Sequence, residues 1–210
     1  MDEETIKKYI EAGKIAKKAI EISKKVVKPG ASMLETAGKI ESEIMKSGGQ
    51  IAFPTNLSVN SIAAHDTAFP NDARVFEEDD VIKVDIGVHI DGYIADTAVT
   101  VNFNNNKSDM LKASETALKN ALRIACPGAN IGEIGGVIEE TITSFGYKPV
   151  SNLSGHYLGQ YTIHTGTSIP NIKTSTNVTL KEGDAIAIEP FATDGAGAIR
   201  DGSRATIYRF

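Results

Sequence analysis

The sequence predicts an α+β fold of two related halves, each a helix pair followed by strands, with helices covering one face of a curved, mainly antiparallel sheet. Three observations carry that expectation. Residues 80–103 read as two arms rich in β-branched residues around Asp91-Gly92, a pair that tolerates the positive φ angles of a type I′ hairpin turn. Amphipathic helical periodicity occurs twice, before residue 49 and again after residue 107. The second occurrence also repeats the first. Pro29-Gly30-Ala31 recurs as Pro127-Gly128-Ala129, Ser32/Glu35 as Asn130/Glu133 and Ile40 as Ile138, all at an offset of 98. Asn56-Leu57-Ser58 recurs as Asn152-Leu153-Ser154 at an offset of 96, and EDDVIKVD (78–85) resembles EGDAIAIE (182–189) at an offset of 104. A unit this long is no solenoid repeat. It reads as two pseudo-twofold-related halves, about 1–104 and 105–210, of a single domain.

Composition narrows the class. The 210 residues suffice for a sizeable core, and 41% hydrophobic with 23% charged residues is ordinary for a globular protein. A net charge of −5 argues against a direct nucleic-acid partner, whose phosphates select a basic face. Cys126 stands alone, so no disulfide framework exists and a cytoplasmic setting is expected. The polar start MDEETIKKY is no secretory signal, and no apolar run approaches the ~18–20 residues of a membrane span.

In order, residues 4–26 read as a helix with an apolar stripe of Ile6, Tyr9, Gly13, Ala16 and Ile20 and a solvated lysine face. Lys28-Pro29-Gly30 breaks it. Ser32 and Glu35 form a capping box for a second helix with stripe Met33, Ala37, Ile40 and Ile44, ended by Gly48-Gly49. Short strands and loops are expected from Gly49 to Pro70, and the hairpin follows. Ser108 is read as the cap of a third helix with stripe Leu111, Ser114, Leu118, Ala121 and Ala125. Asn130 and Glu133 open a fourth, with stripe Ile131, Ile134, Ile138, Ile142 and Phe145.

The chemistry starts at the hairpin. A two-residue loop pairs 90 with 93, 87 with 96 and 85 with 98, which puts Asp85 and Asp96 on one face as diagonal neighbours, roughly 5–8 Å apart. Two half-buried carboxylates that close repel unless a proton or a metal lies between them. The repeat sets Glu189 opposite Asp85, and three buried carboxylates make sense around cations. A solvated hairpin with two surface aspartates is the plainer alternative. Of four histidines, His89 beside the turn reads as structural. His156, between Gly155 and Gly159, and His164 are separated by no local ligand spacing such as HExxH, so the spacing specifies no site. Carboxylates with one imidazole suit Mn, Co, Fe or Zn. Two such ions, roughly 3.5–4 Å apart, would lower the pKa of a bridging water toward about 7. That chemistry belongs to a dinuclear hydrolase of unspecified substrate.

At these residues the sequence resembles the methionine aminopeptidases, dinuclear metallopeptidases of the pita-bread fold, and most closely their type 2, archaeal and eukaryotic branch. The motifs are AFPTNLSVNSIAAHDT (52–67), KVDIGVHIDGYIADTAVTV (83–101), NLSGHYLGQYTIHTG (152–166) and AIAIEPFATDGAGAI (185–199). The resemblance implies that Asp85, Asp96, His156 and Glu189 are metal ligands for two divalent ions, with Asp96 bridging. It implies that His65 and His164 are catalytic and touch the substrate, and that Phe53 and Ile163 line a methionine pocket. The implied reaction removes the initiator methionine from nascent chains whose next residue is small. The implied setting is a cytoplasmic monomer acting on nascent polypeptide N-termini, with ribosome association and no membrane partner. Two rivals remain: an Xaa-Pro peptidase or creatine-type amidinohydrolase of the same fold, and a non-catalytic binding module that keeps the fold.

One departure stands out. The family has a fifth ligand, a glutamate on a late strand, and after Glu189 this chain offers only Asp194 and Asp201 in turn contexts. The repeat places Arg200 where a partner of Asp96 would stand. Gly197 to Phe210 reads as the opening of the helical insertion of the type 2 branch. The expectation is therefore a C-terminally incomplete chain that alone binds metal weakly and turns over poorly.

Overall fold

Helix α1 (Glu3–Val26) begins where Asp2 accepts the Thr5 amide at 2.7 Å, with Glu3 and Glu4 in its first turn and Lys24 and Lys25 in its last, the charge order a helix dipole favours. The computed structural model to which it belongs describes residues 1–202 and Ile207. The buried face of α1 is Ala12, Ile15, Ala16, Ala19 and Ser23. The predicted stripe is thus rotated: Ile6 is 44% exposed, while Tyr9, Gly13 and Ile20 flank the contact half-buried. Alanines let the helix approach the sheet closely, and Ser23 is hidden at little cost because its hydroxyl donates to the Ile20 carbonyl at 2.8 Å. Helix α2 (Met33–Lys46) buries the predicted Met33, Ala37, Ile40 and Ile44, and Ser32 Oγ accepts the Glu35 amide.

Strand β1 (Gln50–Val59) replaces the short strands expected between Gly49 and Pro70 with one ten-residue strand. Pro54 hides it from a pattern reading, because proline supplies no ladder donor. The strand keeps Pro54 at an irregular stretch, with register shifts between Ile51, Phe53 and Asn56. There the Thr55 amide leaves the ladder and donates to Glu41 of α2 at 3.0 Å. Strands β2 (Val81–Ile90) and β3 (Tyr93–Asn102) pair as predicted, Ile90 with Tyr93, Gly87 with Asp96 and Asp85 with Ala98. Asp91 and Gly92 take φ of 49° and 85°. The order is β1-β2-β3, all antiparallel. One face of β2, Ile82, Val84, Ile86 and Val88, is fully buried beneath α1 and α2. The other face carries Lys83, Asp85 and Gly87.

Helix α3 (Ser108–Ile124) corrects the predicted cap: Lys107 holds the cap position without a side-chain capping bond, and Ser108 is already helical. Its buried residues are Ala113, Ala117 and Ala121 rather than the leucines, again the small side chains that permit close packing, here against α4. Helix α4 (Ile131–Ser144) is capped by Asn130, whose Oδ1 accepts the Gly132 and Glu133 amides at 2.8 and 3.3 Å. Ile131, Ile134, Ile138 and Ile142 are buried, while Phe145 ends the helix 39% exposed. Strands β4 (Lys148–Pro149), β5 (Ser154–Gly159), β6 (Thr162–Pro170), β7 (Ile186–Ala187) and β8 (Ala192–Thr193) follow. They form a β6-β5-β7 sheet and a β4-β8 pair. Of the predicted insertion opening, residues 197–202 form no helix, and 203–206 and 208–210 lie outside the described residues.

The chain divides into two compact units, one holding Asp2–Asn106 and the other Lys107–Asp201. Their internal wiring repeats. The Gly30 amide donates to the Phe76 carbonyl at 2.8 Å, and the Gly128 amide to the Leu180 carbonyl at 2.7 Å. Phe76 donates back to Ala31 as Leu180 does to Ala129, and Met33 donates to Arg74 as Ile131 does to Val178. Asp80 and Asp184 each accept the amide three residues earlier, at 2.8 and 2.7 Å. The repeat read from letters is therefore a repeat of hydrogen bonds.

Candidate metal and peptide site

In the first unit the candidate residues gather on the sheet face turned away from the helices. Asp85 and Asp96 sit diagonally across the β2–β3 ladder, both half-buried. Asn56 of β1 pairs with Asp85 and donates its amide to Asp85 Oδ2 at 3.3 Å. It is 2% exposed, so that side chain is committed to orienting the carboxylate. Phe53 pairs with Gly87, and its ring lies over that glycine: a Cβ there would stand 2.3–2.4 Å from two ring carbons. The glycine thus opens a seat for the ring beside Asp96. Lys83, half-buried on the same face, donates Nζ to the Asn60 carbonyl at 2.6 Å, and burial pushes its ammonium down to about 8. His89 does what the plainer reading expects, accepting the Gly92 amide at 3.0 Å across the turn.

His65 lies beyond β1 in the loop leading to β2, exposed, at a φ of 62°. Its neighbours are tied down. The Asp66 carbonyl accepts the Leu57 amide at 2.7 Å. The Thr67 hydroxyl donates to the Thr55 carbonyl at 2.8 Å, and Thr67 bridges to Asn56. Arg74 clasps Asp66 and Asp72, each at 2.7 Å, and the Thr67 carbonyl at 3.1 Å. Those bonds hold the Asp72 carboxyl below the usual carboxylate range.

In the second unit His156 is 7% exposed on β5, flanked by β6 and β7. Its Nε2 is 2.9 Å from Glu189 Oε1. Gly155 is required here, because a Cβ would meet the Ala187 carbonyl oxygen at 2.2 Å; the close approach expected of this glycine is real. The His164 ring meets His156 edge-on with centroids 4.3 Å apart. Ile163 is half-buried beside it on β6.

The donor chemistry fits a divalent ion. Two ligand atoms on one ion, with bonds of about 2.0–2.2 Å, stand about 3 Å apart, the spacing His156 Nε2 and Glu189 Oε1 already hold. His156 Nδ1 faces the Tyr157 carbonyl at 3.4 Å, so a proton on Nδ1 leaves the Nε2 lone pair for metal. Asn56 and Arg74 were not singled out in the sequence. Neither has a local signal: Asn56 meets Asp85 from 29 positions away, on a strand that Pro54 hides, and Arg74 reaches its partners through a loop.

The comparisons agree with this chemistry. Residues 7–205 match the model of metallopeptidase family M24. A protein of Methanocaldococcus jannaschii called methionine aminopeptidase is 51% identical over 210 residues, which cover all of this chain and 71% of that one. The crystal structure of methionine aminopeptidase from Thermotoga maritima superposes with a TM-score of 0.88 at 27% identity, covering 97% of this chain and 85% of that one. A prolidase from Pyrococcus furiosus shares the fold with a TM-score of 0.76 at 26% identity, covering 90% of this chain and 56% of that one. Among the described residues, no helix is long and apolar enough to cross a membrane. With residues 7–205 matched to the family model and 51% identity to a relative along the whole chain, this chain belongs to metallopeptidase family M24.

Proposed function

We propose that this chain is a methionyl aminopeptidase, a metal-dependent hydrolase that releases the N-terminal methionine of polypeptides. The observation that carries the reading is 51% identity along the whole chain to a relative of that name. The chain would act as a single catalytic domain. Asp85, Asp96, His156 and Glu189 would be the ligands of two divalent ions, with Co, Mn, Fe and Zn all compatible with the donors. When bound, such ions supply Lewis acidity toward the scissile carbonyl and a water acidic enough to attack at neutral pH.

The chain's own residues do the rest. Asn56 keeps Asp85 turned toward the site by donating to one of its oxygens. Glu189 Oε1 and His156 Nε2, 2.9 Å apart, would hold an ion between them. His164, braced against the edge of the His156 ring, donates toward the scissile carbonyl oxygen, where charge develops. His65 contacts the peptide near the scissile bond. Phe53 and Ile163 would contact the methionine side chain, and such apolar contacts disfavour charged side chains because these would lose their hydration. Its substrates would be the N-termini of nascent chains, met in the cytoplasm beside the ribosome, and it would act as a monomer.

Release of methionine from Met-Ala-Ser, with added Mn²⁺ or Co²⁺, against release from Ala-Pro peptides tests the reading. Methionine release abolished by chelator, with Ala-Pro untouched, is expected. Cleavage of Ala-Pro without release of methionine would overturn it in favour of an Xaa-Pro peptidase.

A further inference from the structure

We propose that Arg74 is a positioning residue for His65. Its guanidinium, shared among Asp66, Asp72 and the Thr67 carbonyl, holds the left-handed backbone that presents the imidazole. The inference rests on the reading above that His65 contacts the peptide.

The geometry singles out this arginine. Its Nε lies 3.0 Å from both oxygens of Asp72, Nη1 donates to Asp66 Oδ2 at 2.7 Å, and Nη2 donates to the Thr67 carbonyl at 3.1 Å and to Asp72 Oδ2 at 2.7 Å. The two residues it grips after the histidine, Asp66 and Thr67, are 8% and 5% exposed, and the Asp72 side chain is fully buried. A histidine at φ 62° sits in the left-handed region that side chains with a Cβ disfavour, and such a conformation persists only where the surroundings over-determine it. Here they do so on the C-terminal side of His65, through the clamp and through the Leu57–Asp66 and Thr55–Thr67 bonds. The clamp also reaches the neighbouring carboxylate, because Thr67 bridges to Asn56, which holds Asp85.

Comparison within the chain separates this role from a merely structural one. The backbone bond that anchors Arg74, from the Met33 amide to its carbonyl, is repeated in the other half as Ile131 to Val178. The scaffold bond therefore needs no guanidinium. The arginine appears in the half that carries His65, and valine in the half that does not. The planar fork grips both Asp72 oxygens through Nε and Nη2 while Nη1 reaches Asp66 and Nη2 the Thr67 carbonyl; an ammonium, with its three donors on one nitrogen, does not reproduce that spread.

The test is a double-mutant cycle on methionine release from Met-Ala-Ser with Mn²⁺, using Arg74→Ala, Arg74→Lys, His65→Ala and the two double variants. Arg74→Ala lowers kcat about 10–100-fold with KM within about 3-fold, the size of effect expected from misplacing a catalytic group by ångström-scale distances. Arg74→Lys recovers only part of the loss. In the His65→Ala background either Arg74 change costs less than about 3-fold, because the group it positions is gone. A second readout needs neither metal nor turnover. The imidazole Cε1–H resonance of His65, identified by its loss in His65→Ala, shifts or broadens in both Arg74 variants while that of His156 stays in place. Equal losses in both backgrounds, or an unmoved His65 resonance, overturn the proposal. Should Arg74→Ala fail to fold, the Arg74→Lys cycle decides. Should the unaltered protein release no methionine, the functional reading falls and the resonance alone judges the positioning claim.

Discussion

Replacing Gly87 by alanine tests the seat beneath Phe53. The added Cβ would stand 2.3, 2.4 and 2.9 Å from three carbons of the Phe53 ring. Unbonded carbons settle about 3.5–4.0 Å apart, so the ring must retreat by roughly 1 Å or more, or the β1–β2 ladder must open. Gly87 is in a central strand, with Phe53 on one side and Asp96 on the other, so the sheet has little room to yield. Overpacking of this kind costs about 1–3 kcal/mol. At a urea slope of about 2 kcal/mol/M the unfolding midpoint falls by about 0.5–1.5 M. The assay is urea denaturation of Gly87→Ala, Phe53→Ala and the double variant. With the ring removed, the alanine has space, and its cost should drop below about 0.5 kcal/mol, leaving a coupling energy near the whole effect. Equal cost in both backgrounds would refute the reasoning, because the strain would then lie in the strand backbone and not under the ring.

Two further outcomes follow from the same face and its loop. Asn56→Ala frees Asp85 from the amide that orients it, and Mn²⁺ affinity should fall about 10–100-fold by calorimetry; unchanged affinity would mean that the carboxylate is held elsewhere. Hydrogen bonds from Arg74 depress the Asp72 carboxyl in the folded state, so its contribution to stability is fully present above the ordinary carboxylate range. That contribution is lost as pH falls through the depressed folded value. Asp72→Asn should therefore destabilise the protein at pH 7, with the gap to the unaltered protein closing in acid; a pH-independent gap would show that the ion pair contributes nothing.

How far the sequence carries depends on whether a feature is local. The Asp91-Gly92 turn fixes register, and every cross-strand pair from Ile90–Tyr93 to Asp85–Ala98 follows from that dipeptide. Ser32 and Asn130 declare their helices because a cap acts within three residues. Periodicity is weaker evidence. In α1 and α3 the largest apolar residues point to the stripe, whereas packing chooses alanines, whose advantage is the distance at which a neighbouring element can lie. Pro54 hides β1 because the bond that compensates it comes from Glu41 in another element. At the candidate site, the hairpin register pointed to Asp85 and Asp96 and the repeat to Glu189, whereas the site histidines were assigned by resemblance alone. Their supports were not legible, because Asn56 and Asp85 lie 29 positions apart and the Arg74 clamp follows a loop path that no period describes.

The repeat explains why the two halves can share a scaffold and differ in chemistry. What is duplicated is backbone wiring: the loop after the first helix of each pair bonds to the segment ahead of a strand, through Gly30–Phe76 and Gly128–Leu180, at nearly the same lengths. Those bonds use groups every residue carries, so side chains at the same positions are free to diverge. Divergence is concentrated where function is proposed. Asp85 corresponds to Glu189, a carboxylate for a carboxylate one methylene longer, and Arg74 corresponds to Val178, a cation for an apolar side chain. The first half spends buried polar side chains, Asn56, Asp66, Thr67 and Asp72, on fixing a loop and one carboxylate. The second half instead sets an imidazole against Glu189 on neighbouring backbone, with Gly155 giving up its side chain to the Ala187 carbonyl. Each half therefore presents oxygen or nitrogen donors, Asp85 and Asp96 in one and His156 in the other, from a strand packed on its own core, which suits the ligand role proposed for them.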